Sequence, residues 1–139
     1  GLSMRLLGLD VGEKTIGVAV SDPMGWTAQG VTVIRRASKE KDLSGLQEFV
    51  DQYKVEKFVL GLPRRTDGSY GPETEKIYEF GAELEREFAL PVEYWDERFS
   101  TVAAERILLE GDVSRAKRRQ VIDKVAATVI LQAYLDRKR

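Results

Sequence analysis

Hydrophobic positions along the chain change their period several times, and each change marks an element. Arg5-Leu6-Leu7-Gly8-Leu9-Asp10 is a short apolar run that closes on a carboxylate. Thr15-Ile16-Gly17-Val18-Ala19-Val20-Ser21 alternates bulky Ile16, Val18 and Val20 with small Gly17 and Ala19. Such period-two alternation, across a glycine-containing turn at 11–14, predicts a β-hairpin. A third run near 27–34 extends the hairpin to a meander, with Pro23 and Gly25 turning the chain into it. The period then lengthens. Leu43, Leu46, Val50 and Tyr53 recur at helical spacing behind Ser38, a residue type that accepts from the free N–H groups of a helix start.

Phe58-Val59-Leu60-Gly61-Leu62 is apolar on both faces, as a buried parallel strand must be, and Pro63 ends it. A polar loop containing Asp67, Gly68 and Gly71 leads to Pro72. Proline is favoured at a first helical position, and Glu73 and Glu75 suit the positive end of the helix dipole. Ile77, Phe80, Leu84 and Phe88 carry that helix along one face until Pro91, before a short strand at 92–95. Ser100 or Thr101 is expected to cap a helix reaching Leu109, where Gly111 stops it, and a last helix is expected over roughly 118–134. The order is three strands, then helix, strand, helix, strand, helix, helix. A meander requires antiparallel pairing, while each later helix can cross over to a parallel strand. The expectation is therefore an α/β fold, a five-stranded mixed sheet flanked by helices.

Composition narrows the chemistry. The 139 residues fit one domain, expected to span 4–139, and Gly1-Leu2-Ser3 ahead of Met4 reads as an expression scar. No run has the length of a membrane helix and no signal-peptide pattern opens the chain, so a cytoplasmic protein is expected. There is no cysteine and no histidine. Thiolate chemistry, the usual serine triad and nearly every zinc or copper site are thereby excluded. Carboxylates, lysine, hydroxyls or a hard metal held by oxygen must do any catalytic work.

The net charge of −1 is unevenly spread: residues 1–97 sum to −6 and residues 98–139 to +5. The basic excess gathers at Arg115, Lys117, Arg118 and Arg119, then at Arg137, Lys138 and Arg139. Such a run serves equally as a solvated surface or as an edge that neutralises phosphates.

In open α/β sheets ligands sit beyond the carboxyl ends of the strands. Asp10 closes the first strand there, Asp96 and Glu97 follow the last, and Asp123 lies in the final helix on the stripe of Ala126, Ala127 and Ile130. The two alanines allow that helix to approach the sheet closely. Each acid has an ordinary explanation as a turn former, a cap or a dipole partner. Together, in a chain without histidine or cysteine, they suit magnesium or manganese, and two such ions about 4 Å apart can drive phosphodiester cleavage.

Four stretches resemble, in order, the motifs of the YqgF (RuvX-like) family. They are Asp10-Val11-Gly12-Glu13-Lys14-Thr15-Ile16-Gly17-Val18-Ala19-Val20-Ser21-Asp22; Gly61-Leu62-Pro63 with Gly68 and Gly71; Asp96-Glu97-Arg98-Phe99-Ser100-Thr101; and Arg118 through Asp123-Lys124-Val125-Ala126-Ala127 with Ile130-Leu131-Gln132. The resemblance implies a ribonuclease H-like fold related to Holliday-junction resolvases. It also implies a role in recombination or in trimming the 5′ end of pre-16S ribosomal RNA, on structured RNA or branched DNA and with ribosomal precursor particles as partners.

By motif position the resemblance carries over Asp10, Glu97 and Asp123 as a catalytic, metal-binding set. Glu97 is preferred to its neighbour Asp96 for its longer reach. Lys14 is placed near phosphates or carboxylates. Arg98, Ser100 and Thr101 are placed at the loop or the nucleic-acid backbone, beside the basic cluster Arg115, Lys117, Arg118 and Arg119. The state, monomer or homodimer, stays open.

Two rivals are weighed alongside. An actin- or sugar-kinase-like ATPase also opens with an Asp-x-Gly hairpin, but needs a second such domain and a second glycine-rich phosphate loop. A non-catalytic nucleic-acid-binding or ribosome-assembly factor would be expected to lack one of the carboxylates.

Overall fold

The computed structural model describes residues 5–63, 71–97 and 115–138, with side-chain surroundings in the last segment given for 124–137. Strands β1 (Leu6–Val11), β2 (Thr15–Ser21) and β3 (Ala28–Arg35) form the meander; helix α1 (Lys39–Tyr53), strand β4 (Lys57–Leu62), helix α2 (Pro72–Phe88) and strand β5 (Val92–Asp96) follow. Helix α3 (Arg115–Lys138) closes the described order. The expected helix through Leu109, its stop at Gly111, the first three residues, and Arg98, Ser100 and Thr101 lie outside the described residues.

The five strands form one sheet in the order β3-β2-β1-β4-β5. β1–β2 and β2–β3 are antiparallel, and β1–β4 and β4–β5 are parallel. The mixed sheet is the expected one. One detail the alternation did not show is a register shift between Val18 and Ala19.

Alternate strand residues sort to opposite faces. Leu7, Leu9, Ile16, Val18, Phe58 and Leu60 join Leu43, Leu46, Ile77 and Leu84 in the core under α1 and α2. The other face carries Leu6, Ala19 and Val59 against Ala126, Ala127, Ile130 and Leu131 of α3. Gly8 belongs to that second face. A Cβ there would come within 2.7 Å of the Leu131 Cβ and 3.3 Å of the Ala127 carbonyl, so the bare backbone sets how near α3 lies. Small residues on both partners therefore bring the helix onto the sheet, as the two alanines led one to expect.

Helix ends follow local chemistry. Ser38 accepts from the Lys41 N–H and starts α1, and Pro72 stands at the start of α2. Pro91 is not what ends α2. The helix stops at Phe88, where Ala89 turns left-handed (φ 54°) and donates its N–H to the Glu85 carbonyl. α3 begins at Arg115, three residues ahead of its expected start, so the whole Arg115–Arg119 cluster lies in its opening turns. Among the described residues no helix is long and apolar enough to cross a membrane.

Candidate metal and nucleic-acid site

Side-chain alternation decides which carboxylates share a face. β1 presents Leu6 and Gly8 to α3, so Asp10, two residues on, points to the same side; it is 8% exposed. β1 and β4 are in register through Leu9 and Leu60, which sets Asp10 beside Gly61 one row further. Gly61 in turn pairs with Trp95 of β5.

A Cβ on Gly61 would lie 2.5 Å from Ile130 Cδ1 and 3.2 Å from Glu97 Oε1. The missing side chain thus makes room for both the helix and the Glu97 carboxylate. Glu97, immediately after β5, stands on the α3 face. Asp96 pairs with Leu62, whose side chain belongs to the core of α1 and α2, so Asp96 faces away.

α3 runs opposite to β1. Its Tyr134 lies by Lys57 at the start of β4, while Ile130 lies over Gly61 near the end of that strand. Ala127 crosses β1 at Gly8, and the backbone of Asp123 follows one turn further, about 6 Å along the axis in the direction of Asp10. Asp10 and Glu97 are thus brought to one place, and the Asp123 backbone is directed to it; the Asp123 side chain lies outside those described. Among the described residues no three acidic side chains form a group able to hold a metal ion.

The fit to a hard cation rests on the donors themselves. Asp10 and Glu97 offer only oxygen, on one face, beside a glycine whose missing side chain leaves room for the Glu97 carboxylate.

Lys14 is exposed in the hairpin turn just beyond Asp10. The turn is held by Arg36, which was not singled out from the sequence. Its backbone N–H donates to the Lys14 carbonyl (2.8 Å) and its Nη1 to the Gly12 carbonyl (2.7 Å). Its Nε pairs with Asp42 Oδ2 at 3.2 Å, and its guanidinium lies over the Phe80 ring, 5.3 Å from the centroid. Asp42, 3% exposed, also accepts from the Ala37 N–H. One arginine therefore ties the turn after Asp10 to β3, α1 and α2. The available signal was Asp42 itself, an acid placed one turn before Leu46 on the apolar stripe of α1.

The basic cluster sits where a helix dipole disfavours it. The first turn of α3 contains no acidic residue, and Arg115, Lys117, Arg118 and Arg119 crowd the positive end. The side chains of these four lie outside those described.

The family model described as "RuvX: Holliday junction resolvase" matches residues 4–137. The chain is 59% identical over 135 residues to a protein of Heliobacterium modesticaldum, covering 97% of this chain and 91% of the relative. It is 60% identical over 134 residues to a protein of Moorella thermoacetica, covering 96% of each. Both relatives carry the name "Putative pre-16S rRNA nuclease". In fold the chain is similar to T. thermophilus RuvC in complex with a Holliday junction substrate (TM-score 0.57, 14% identity, 97% of this chain and 96% of that one). It is also similar to the fowlpox virus Holliday junction resolvase (TM-score 0.56, 14% identity, 98% of this chain and 100% of that one).

Proposed function

The chain belongs to the RuvX family, and we propose that it is a divalent-metal-dependent nuclease that hydrolyses phosphodiester bonds of structured nucleic acid, in 5′-end maturation of pre-16S ribosomal RNA. The observation that carries this reading is the pairing of Asp10 with Glu97 on the α3 face around Gly61. The name shared by the similar proteins supplies the RNA substrate.

Asp10, Glu97 and Asp123 are the residues that would hold magnesium or manganese, which supplies Lewis-acid stabilisation of phosphoryl oxygens and a more acidic bound water. The chain's own part is to fix position. Asp10 is set by its strand ladder, and Glu97 by the end of β5 and the gap at Gly61. Carboxylate oxygens gathered on one face, with no nitrogen or sulfur donor among them, suit a hard divalent cation, which is the physical reason to expect one. Lys14 is assigned to phosphate on the near side of Asp10. The opening of α3, with its four basic residues at the positive end of the helix dipole, is assigned to the phosphate backbone, where a bound anion would offset the repulsion that the dipole imposes. Such contacts hold a substrate in place without reading its sequence. Arg98, Ser100 and Thr101 are proposed to line the same path.

Holliday-junction cleavage is the second reading, favoured by the description of the family. It requires two active sites on one junction, hence a dimer, whereas end trimming works with one.

The test is a cleavage panel with magnesium or manganese on precursor 16S RNA, a four-way DNA junction and linear duplex. Metal-dependent cutting of the precursor RNA supports the main reading, and cutting of the junction alone supports the second. Binding without cutting of any substrate would leave a non-catalytic assembly factor.

A further inference from the structure

Alternation along β5 sets Glu93, Trp95 and Glu97 on one side of the sheet. Glu93 pairs with Val59, which packs against α3, and Trp95 packs there too. The strand that leads to Glu97 therefore meets α3 at a second point, four residues or about 13 Å earlier.

At that earlier point the contact is polar. Tyr134 of α3, 4% exposed, donates its hydroxyl to Glu93 Oε2. Lys57 Nζ, at the start of β4, donates to the same hydroxyl at 3.3 Å and lies 3.6 Å from Glu93 Oε1. It also stands 5.9 Å from the centroid of the Tyr134 ring, which Trp95 meets edge-on at 6.1 Å. Burial, then the bond to Glu93, holds the Tyr134 hydroxyl above its ordinary value of 10.0, so it stays a donor around neutrality. On the other flank of α3, Gln132 Nε2 donates to the Trp26 carbonyl at 3.1 Å and Gln132 Oε1 accepts from the Ala28 N–H at 2.9 Å.

These bonds do what the apolar packing does not. Burial of apolar surface is non-directional, so Ala127, Ile130 and Leu131 against Gly8 and Gly61 set mainly how near α3 lies. Hydrogen bonds are directional, and those of Tyr134 and Gln132 set the rotation of α3 and its position along the sheet. A helix carries such a setting along its length. Asp123 precedes Tyr134 by just over three turns, roughly 16 Å, so the two backbone positions fall on one side of the helix. A rotation permitted at Tyr134 is thereby passed to Asp123.

We propose that Tyr134, held by Glu93 and Lys57, is a positioning residue for the metal site. From the far end of the sheet it fixes the turn of α3 that brings the Asp123 backbone towards Asp10 and Glu97. Misplacement by about 1 Å, even from a change far from the chemistry, is enough to cost about 100-fold in rate.

The inference rests on the metal reading above, and its test reads the ion alone. Manganese is titrated into wild type and variants without nucleic acid, and the free ion is followed by electron paramagnetic resonance. Tyr134→Phe fills the same space and leaves Lys57 paired with Glu93, and thermal midpoints check the fold. It is expected to weaken manganese binding about tenfold, as when support behind a metal ligand is lost. Glu93→Ala should lose about as much, and the double variant no more than that, since one bond is removed in each. Glu93→Gln keeps an acceptor for the hydroxyl and should keep most of the affinity. Ile77→Val, in the core on the opposite face of the sheet, controls for lost stability and should leave the affinity unchanged. Wild-type affinity in Tyr134→Phe, or an equal loss in Ile77→Val, would overturn the positioning role and leave the metal reading in place. Absence of manganese binding by wild type would overturn both.

Discussion

The Oε1 atom of Glu97 lies 3.2 Å from the point where a Cβ on Gly61 would stand. A strand residue without a side chain therefore gives an acid from the neighbouring strand its position over the sheet, on the side where Asp10 points. The same point lies 2.5 Å from Ile130 Cδ1, so one added methyl would press on the helix and on the carboxylate at once.

Gly61→Ala is expected to cost about 1–3 kcal/mol through overpacking and to lower cleavage per folded molecule. Adding Ile130→Val removes the Cδ1 conflict but not the one with Glu97. Urea midpoints of the double variant should recover part of the loss, while its cleavage stays low. Full recovery of cleavage would detach Glu97 from the chemistry.

Arg36→Met removes the bond to the Gly12 carbonyl and leaves Asp42 buried without its cation. A loss of roughly 3 kcal/mol is expected in denaturant unfolding. Replacing both members, Arg36→Met with Asp42→Leu, should be less damaging than Arg36→Met alone, because no uncompensated buried charge remains. Amide exchange at Gly12 and Thr15 should quicken in both variants, since the clasp on the turn is gone from each.

Hydrogen bonds from the backbone of Thr27, then of Trp26, hold the Asp22 carboxyl below its ordinary value of 3.8. A group depressed in the folded state contributes stability above its unfolded value and loses that contribution as pH falls through its folded value. The Trp26 and Thr27 amide resonances should therefore be unchanged from neutrality down to about pH 4 and shift together only below it. Asp22→Asn should abolish this acid titration while keeping an oxygen acceptor. Titration near neutrality would contradict the assignment.

How far the sequence could be read depended on the range of each interaction. The hairpin, α1 with its Ser38 cap, β4 and the Pro72 start of α2 were legible because alternation, helical spacing and capping chemistry act within a few residues. The closing of α2 was not, because the left-handed turn at Ala89 occurs at a residue with no preference for it. The choice between Asp96 and Glu97 also needed the sheet. Both are acids at one strand end, and only the pairing of Asp96 with Leu62 fixes which face each takes. Arg36 escaped notice because its partners Gly12, Asp42 and Phe80 come from three separate elements. Motif order, by contrast, spans the whole chain, and for that reason the family was legible before the fold was.

If the opening of α3 binds phosphates, Arg118→Ala with Arg119→Ala should weaken binding to every nucleic acid alike. The slope of log affinity against log salt should fall by about 1.4–1.8, according to whether the strand is single or double. A slope equal to that of wild type would move the phosphate contacts elsewhere.

The most direct measurement is cleavage of precursor 16S RNA by Asp10→Asn beside wild type, in manganese or magnesium, with circular dichroism to confirm a shared fold. Amide for carboxylate keeps the shape of the buried side chain and removes its charge. Cleavage should fall by at least about 100-fold, since even residues that only support a metal ligand cost 10–100-fold when lost. Cutting by Asp10→Asn at the wild-type rate would contradict the assignment of the chemistry to this carboxylate and the face it shares with Glu97.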